Sequence, residues 1–319
     1  MSKCTIRTDL ALEATESFKG TNVEIKGVVL EKDYDEKRDI HITRVIIKDD
    51  HGAKAMRKPK GTYITLEAKN MQYPDADYHR EVSEVLAGYI KELMPEKKDL
   101  SVIVIGLGNN EVTADALGPM SVDNLCITRH ITKEYGKDVW ADEDKISVSS
   151  LTPGVMAKTG METAEIVKAV IAETNPDVAI VIDSLAARST RRLNTTIQIT
   201  DTGISPGSGV GNHRGSINEE TMSVPVIAIG VPTVVDAATI VSDTMDSLLA
   251  ALAELKELHT IVNVLEEFSD EEKYQLIREL LEPHIGTMYV TPKDIDATIK
   301  QLSFTISEGL NIAFINNHN

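Results

Sequence analysis

Three runs of almost uninterrupted apolar residues constrain the fold of this chain more than any other feature. They are SVIVIGLG from Ser101, DVAIVIDSLA from Asp177 and VPVIAIGVP from Val224. Strands that are apolar along their whole length lie in a sheet with both faces covered, and these three alternate with helical patterns. The sequence therefore predicts an α/β fold in which helices cover both faces of a mixed, mostly parallel sheet.

The remaining elements divide the chain at about residue 75. A short amino-terminal segment (10–20) has helical character, and residues 21–74 carry three strand-like stretches between charged turns, which predicts a small β-rich layer packed on the core. Residues 75–319 form the α/β domain, with an acidic helical insertion at about 257–292. Its further predicted elements are helices over 75–96, 115–134, 161–174, 237–256 and 293–314, and strands over 145–151 and 195–200.

Charge and composition exclude several classes of function. The chain has 50 acidic and 33 basic residues, a formal net charge of −17, which disfavours a nucleic-acid partner because phosphate binding needs a basic surface. Aromatic residues make up 4% of the chain, too few for a platform on which bases stack. The sequence has no signal-peptide core and no membrane span, so we expect a cytoplasmic protein in which Cys4 and Cys126 are free thiols.

Two aspartates are expected at the same edge of the predicted sheet. Asp115 follows the strand and glycine turn that end at Gly108, and Asp183 ends the strand VAIVID. Ligands bind at the carboxyl ends of parallel strands in open α/β sheets. Two close carboxylates share a proton, so one acts as an acid while the other activates water for hydrolysis. The alternatives are that each aspartate caps a helix or that the two bind a metal ion.

Two further motifs allow other chemistries. Asp201-Thr202-Gly203 resembles the catalytic loop of pepsin-type proteases, but it occurs once and in an α/β context, which favours a turn at a strand end. The glycine-rich segment 203–215 could cradle a phosphate, although it does not clearly open a helix after a strand. A loop beside an active site is the favoured interpretation, because glycines permit close approach of the backbone to a ligand.

Four long motifs, in a fixed order, make the chain recognisable. They are GLGNNEVTADALGP (106–119), TPGVMAKTGMET (152–163), the stretch that begins IDSLAARSTRRLN and ends GSGVGNHR (182–214), and IGVPTVVDAATI (229–240). Together with GTMYVTPKDID near the carboxyl end and RTDLALEA near the amino terminus, they resemble the germination protease family of spore-forming bacteria.

This resemblance implies an atypical aspartic-type endopeptidase that degrades small acid-soluble spore proteins when spores germinate. Family members are homotetramers made as zymogens. Their fold is similar to that of the hydrogenase maturation peptidases, a phosphorylase/hydrolase-like three-layer sandwich. Those enzymes bind nickel with help from a histidine that has no counterpart in this sequence, so we expect no metal and no cofactor. The implied location is the forespore or spore core.

The family's proposed catalytic pair falls on Asp115 and Asp183 of this sequence. Family members cut after an acidic residue that precedes an apolar residue and alanine, so self-cleavage is expected between Asp9 and Leu10, with residues 1–9 as the propeptide. Two other functions stay open, a nucleotide- or phosphate-binding α/β protein and a metal-dependent maturation peptidase. Residues beside the motifs that are expected to line the cleft are Gly108, Asn109, Lys158, Thr159, Arg188, Arg192, Gly207, Gly209 and His213.

Overall fold

The computed structural model describes residues 8–16, 25–136, 146–207, 215–253, 268, 270–286 and 288–314. The strands within these residues are β1 (Val28–Asp35), β2 (Ile40–Ile47), β3 (Gly61–Glu67), β4 (Ser101–Gly106), β5 (Ser147–Leu151), β6 (Val178–Ala187), β7 (Thr196–Thr200), β8 (Val226–Asp236) and β9 (Tyr289–Val290). The helices are α1 (Ala11–Glu16), α2 (Asp50–Met56), α3 (Ala76–Leu93), α4 (Leu117–Val122), α5 (Arg129–Tyr135), α6 (Met156–Thr159), α7 (Thr163–Thr174), α8 (Glu219–Met222), α9 (Ala237–Ala253), α10 (Asp270–Ile285) and α11 (Ile295–Phe314).

The described strands form one sheet, and the fold is α/β with a mixed sheet as predicted. The strand order is β1-β2-β3-β7-β8-β6-β4-β5, with β9 paired to the end of β8. The strands β5, β4, β6 and β8 run parallel to one another. The other described pairings are all antiparallel and outnumber the parallel ones. The prediction of a mostly parallel sheet is therefore wrong.

The antiparallel majority arises from the way in which the amino-terminal strands join the sheet. Strand β3 pairs antiparallel with β7, from Tyr63 opposite Thr200 to Glu67 opposite Thr196. The connection from β1 to β2 is too short for the crossover that parallel strands need, so these two also pair antiparallel. Strands β1 to β3 therefore extend the central sheet edge to edge, and they do not form the separate layer expected from the sequence.

Helices cover both faces of the sheet, as the apolar strands predicted. Alternate residues of β4 enter different cores: Val104 packs with α3, α4 and α11 on the first face, and Ile105 packs with α7 and α8 on the second. By the same alternation, Tyr63 of β3 lies on the second face, in a separate small core with α1 and α2. The second face therefore carries two groups of helices.

The predicted helix over 115–134 is interrupted. Helix α4 ends at Val122 and α5 begins at Arg129. Between them the N–H of Cys126 donates to the Asn311 side-chain oxygen of α11 at 2.9 Å, and the N–H of Thr128 donates to the Val148 carbonyl of β5 at 3.0 Å. These partners lie far away along the chain, so tertiary contacts override the local helical pattern. Cys126 is exposed and free, as predicted, whereas Cys4 lies outside the described residues.

The short helices α2, α6 and α8 were not predicted, whereas α10 was expected. Helix α2 lies in a charged stretch interpreted as a turn; the Asp49 carboxylate caps it by accepting the N–H of Gly52 at 2.8 Å, and Arg57 ends it in the left-handed region with a φ of 54°. Helix α10 occupies part of the predicted insertion at 257–292, of which residues 257–267, 269 and 287 lie outside the described residues. In the described part of the chain, no helix is both long and apolar enough to span a bilayer.

Candidate active site

A cleft of about 660 Å³ opens on the second face of the sheet, between the helices α1 and α2 on one side and α7 and α8 on the other. Both aspartates singled out from the sequence, Asp115 and Asp183, line this cleft. On its floor Gln198 of β7 lies opposite Gly230 of β8, and Gly230 lies opposite Asp183 of β6. Because Gly230 has no side chain, the Leu185 side chain of β6 packs directly over it: a Cβ at Gly230 would lie 2.5 Å from the Leu185 Cδ1.

Asp183 lies within β6, not at its end as predicted, but it lies where the neighbouring strand stops. Gly106 is the last residue of β4 and pairs with Ile182, and the N–H of Leu107 then donates to the Ile182 carbonyl at 2.8 Å. The next β6 residue is Asp183, which is 6% exposed and accepts the N–H of Ser184 at 2.9 Å. Asp183 is therefore at the carboxyl edge of the parallel strands although its own strand continues.

Asp115 reaches the cleft through a tight turn after β4. It ends a short 3₁₀ turn (Thr113–Asp115), and its carbonyl accepts the N–H of Asn109 at 3.0 Å. Gly108 has a φ of +118°, and a Cβ there would lie 1.9 Å from the Asp115 carbonyl oxygen. Glycine is required at this position both by the backbone angle and by the lack of space. The glycine turn closes on the backbone of Asp115, so that backbone fills the space that a phosphate would need.

The backbone on both sides of Asp115 is fixed by close contacts with the sheet. A Cβ on Gly118 of α4 would lie 2.3 Å from the Leu107 carbonyl oxygen and 2.6 Å from the Ile182 carbonyl oxygen. Within the 3₁₀ turn, the Thr233 hydroxyl of β8 donates to the carbonyl of Ala114, at 2.6 Å. The segment that carries Asp115 is therefore held against the end of β4 and against β6 and β8.

The amino-terminal segment enters the same cleft at Asp9. The N–H of Asp9 donates to the Ala186 carbonyl at 3.3 Å, and the N–H of Ala186 donates to the Asp9 carboxylate at 3.0 Å. The carbonyl oxygen of Asp9 accepts from the Lys58 ammonium at 2.8 Å and from the Gln198 amide at 3.2 Å. Leu10 is fully buried. The peptide bond predicted to be cut is thus bound on one side by β6 and on the other by two side-chain donors.

A buried carboxylate anchors the helix that follows Asp9. Glu13 of α1 is 2% exposed, and it accepts the N–H groups of Arg188 and Ser189 at 2.8 and 3.0 Å. The Arg192 guanidinium binds the same carboxylate at 3.2 Å, and the Thr8 hydroxyl donates to it as well. Arg188 and Arg192 therefore fix the segment beyond the predicted cut.

The cleft residues that the sequence did not point to include Lys58, Gln198 and Tyr63. Burial lowers the pKa of the Lys58 ammonium, although the charges of Asp9 and Glu13 oppose this shift. Burial raises the pKa of Tyr63 to about 12. Gln198 could have been noticed in the sequence, because it is a lone amide in the strand TTIQIT. Nothing in the sequence singled out Lys58, since it lies in a stretch of charged residues with no periodicity.

The other residues expected at the cleft fall into three groups. Gly207 lines the cleft together with Gly108. Five are not among the lining residues, and one of these, Lys158, pairs instead with Glu111 on the surface at 2.6 Å. These five are Asn109, Lys158, Thr159, Arg188 and Arg192. The remaining two, Gly209 and His213, lie outside the described residues.

The Asp201-Thr202-Gly203 motif is a turn at the end of β7, the interpretation favoured from the sequence. The Asp201 carboxylate accepts the N–H of Thr62 at 2.8 Å and so ties the end of β7 to the start of β3. Gly203 has a φ of +72°, which suits glycine. Among the described residues, no group of three or more His, Cys, Asp or Glu side chains is placed to bind a metal ion.

Comparison with known proteins finds relatives along almost the whole chain. The family model described as germination protease matches residues 6–259 and 250–319. A germination protease of Caldanaerobacter subterraneus subsp. tengcongensis is 52% identical over 309 residues, which are 97% of this chain and 94% of that protein. The germination protease of Clostridium tetani is 44% identical, over 97% of this chain and 95% of its own. That of Bacillus cytotoxicus is 40% identical, over 98% of this chain and 94% of its own.

Proposed function

This chain belongs to the germination protease family and is a peptidase of spore germination, and from that premise we propose its substrate and catalytic groups. We propose that it begins the degradation of small acid-soluble spore proteins as an aspartic-type endopeptidase. Asp115 and Asp183 are its catalytic pair, and it needs no metal or cofactor. Its place of action is the spore core, and it assembles as a homotetramer, both as the family resemblance implies.

One observation carries this proposal: the cleft that Asp115 and Asp183 line also holds Asp9, the residue before the expected cut. A peptide bond and two carboxylates in one partly closed cleft are what hydrolysis by an aspartate pair requires. The ionised carboxylate takes a proton from water as the water oxygen attacks the carbonyl carbon. The protonated carboxyl gives its proton to the departing amide nitrogen.

The position of Asp9 supports a zymogen that cuts itself. While Asp9 binds Ala186, Lys58 and Gln198, a protein substrate cannot occupy the same donors. A cut after Asp9 releases residues 1–9, whereas α1 remains attached through Glu13. We therefore expect the mature chain to begin at Leu10.

The experiment that tests the pair compares the same substitution at three aspartates. Asp115→Asn and Asp183→Asn should each slow self-processing and cleavage of a small acid-soluble spore protein by at least about 10²-fold, the scale of general acid–base catalysis. Asp201→Asn is the matched control, because Asp201 is not among the residues that line the cleft and its carboxylate binds the N–H of Thr62. All three should keep the circular dichroism spectrum of the parent chain. Full activity of Asp115→Asn or Asp183→Asn would refute the proposed pair.

Two simple additions separate the rival functions. A chelator should leave self-processing unchanged, whereas a metal-dependent maturation peptidase would lose activity. A ligand that binds the folded state raises the melting temperature. Nucleotides and inorganic phosphate should therefore leave the melting temperature unchanged, whereas a nucleotide- or phosphate-binding protein would show an increase. Mass spectrometry of the processed chain should find Leu10 at the amino terminus, and any other terminus would contradict the proposed cleavage site.

A further inference from the structure

We propose that Lys58 and Gln198 are catalytic residues that bind the carbonyl oxygen of the peptide bond being cut and stabilise the negative charge that forms on it. This inference rests on the proposed function, since it concerns the bond between Asp9 and Leu10. Nothing in the motifs that identify the family points to either residue: Lys58 lies outside all of them, and Gln198 lies inside one as an unremarked strand residue.

Two side-chain hydrogen bonds converge on one atom, the carbonyl oxygen of Asp9. Lys58 donates to the Asp9 carbonyl oxygen at 2.8 Å and Gln198 donates to the same oxygen at 3.2 Å. Two donors converging on the carbonyl oxygen of a peptide bond are the arrangement that stabilises the oxyanion of a tetrahedral intermediate. The donors come from different elements, the segment after α2 and the middle of β7, so the fold holds them independently of each other.

The Gln198 amide is oriented by two hydrogen bonds to the main chain. Its side-chain oxygen accepts the N–H of Ala11 at 2.6 Å while its nitrogen donates to the Asp9 carbonyl. One amide thus binds the backbone on both sides of Leu10, and these two bonds fix which end of the amide is the donor. Since both contacts are to the main chain, a protein substrate of another sequence can make them too.

Gln198 lies two strands away from Asp183 in the sheet. Gln198, Gly230 and Asp183 lie in one row across β7, β8 and β6. Neighbouring strands are about 4.8 Å apart, so the backbones of Gln198 and Asp183 are about 10 Å apart. Both side chains line the same cleft, and the Leu185 side chain packs over Gly230, the residue between them. A carbonyl held by Gln198 therefore lies in the cleft that Asp183 lines.

Lys58 is also an unfavourable residue for stability at this place. The ammonium end lies inside the protein, where burial lowers its pKa, and a buried charge destabilises a fold unless it is well paired. Perturbed ionisable groups of this kind concentrate at functional sites. The Lys58 ammonium donates a hydrogen bond to the Asp9 carbonyl oxygen, which an apolar residue could not do.

The chemical step balances without a further reactant. Water oxygen bonds to the Asp9 carbonyl carbon and loses a proton to the ionised aspartate, while the carbonyl π electrons move to oxygen. Lys58 and Gln198 stabilise that oxyanion through their N–H groups and keep their own protons. When the carbonyl re-forms, the bond to the Leu10 nitrogen breaks and that nitrogen takes the proton of the other aspartate. The products are a carboxyl group on Asp9 and a free amine on Leu10.

The test is the first-order rate of self-processing of the full chain. Lys58→Met and Gln198→Glu should each slow it by about 10²- to 10³-fold, the loss measured when one oxyanion donor is removed. Lys60→Met is the matched control: this exposed lysine pairs with Asp50 at 2.9 Å and should process at the parent rate. Lys58→Arg restores a donor and should recover part of the loss.

A second measurement distinguishes catalysis from anchoring. Asp9 keeps its two bonds to Ala186, and α1 keeps the Glu13 contacts, when Lys58 or Gln198 is changed. Hydrogen exchange at the amides of residues 10–12 should therefore stay as slow as in the parent chain while processing is slowed. Loss of this protection together with the rate would show anchoring alone and overturn the proposal.

The outcome is separable from that of the proposed function. If Asp183→Asn is inactive while Lys58→Met and Gln198→Glu process at the parent rate, the aspartate pair stands and the oxyanion proposal fails. If Asp183→Asn processes at the parent rate, the proposed function fails first. Lys58→Met removes a buried charge, so its melting temperature should not fall, and a folded but slow variant is the expected result.

Discussion

The substitution Gly118→Ala should separate stability and activity at the point where α4 meets the strands. The new Cβ would lie 2.3 Å from the Leu107 carbonyl oxygen, and 2.6 Å from both the Leu107 nitrogen and the Ile182 carbonyl oxygen. All three atoms belong to the backbone, so no side chain can rotate away. Real Cβ atoms essentially never approach closer than 3.0 Å, and going from 2.3 to 3.0 Å requires α4 to move by at least 0.7 Å.

This movement sets the size of both effects. Overpacking of a core destabilises a protein by about 1–3 kcal/mol, which exceeds the gain of up to about 1 kcal/mol from replacing a helical glycine by alanine. Asp115 lies three residues before Gly118 on the same segment, so it moves with α4. A misplacement of about 1 Å lowers a rate by about 10²-fold. We therefore expect self-processing to slow by roughly this factor in a destabilised but folded protein.

The matched control is Gly88→Ala. Gly88 lies in α3 and is exposed, and a Cβ there would meet nothing within 4 Å. This variant should gain about 0.5–1 kcal/mol and process at the parent rate. Urea unfolding measures the free energies, and the time course of the Leu10 terminus measures the rate. If Gly118→Ala matches the parent chain in both, the backbone contacts do not position Asp115 and the reasoning is refuted.

Other predictions concern charge and pH. Burial opposes the charge of Arg192, but nearby glutamates raise the pKa of its guanidinium. Arg192→Met should destabilise the fold by about 3 kcal/mol, because it leaves the buried Glu13 carboxylate without its cation. Arg44→Met, which breaks a more exposed ion pair, should change the unfolding free energy by less than about 1 kcal/mol; equal losses would contradict the burial argument. Burial raises the pKa of Tyr63 to about 12, above the ordinary value of 10, so stability from the neutral phenol is complete below pH 10 and is lost as pH rises toward 12. In Tyr63→Phe, the free energy of unfolding measured in urea should no longer fall between about pH 10 and 12. If the fall persists in this variant, groups other than Tyr63 cause it.

The sequence was informative where a local pattern has one structural solution. Runs of apolar residues such as Val178–Ile182 form strands buried on both faces, and their short length and β-branched residues favour a strand over a buried helix. Asp115 and Asp183 could be identified as candidates, because a carboxylate after an apolar strand is costly unless it is paired or hydrogen-bonded. Both line the cleft, and their catalytic role stays a prediction.

The direction of strand pairing was not predictable in this way. A strand pattern indicates which residues are buried, but it does not say which strand is the neighbour. Strand β3 joins β7 more than a hundred residues further along the chain, and that single pairing brings β1 to β3 into the sheet. The interruption between α4 and α5 has the same cause, since Cys126 binds Asn311 from α11.

The sequence by itself determined the apolar strands, the helices that alternate with them and the two aspartates that follow strands. The tertiary structure alone decided what surrounds the Asp9 carbonyl. Lys58 and Gln198 are 49 and 189 residues away from Asp9 along the chain, and each donates to the same oxygen. Burial of apolar surface follows a period that one segment can show. A hydrogen bond between single polar groups on distant segments leaves no periodic pattern in the sequence. It can therefore be identified only in the folded structure.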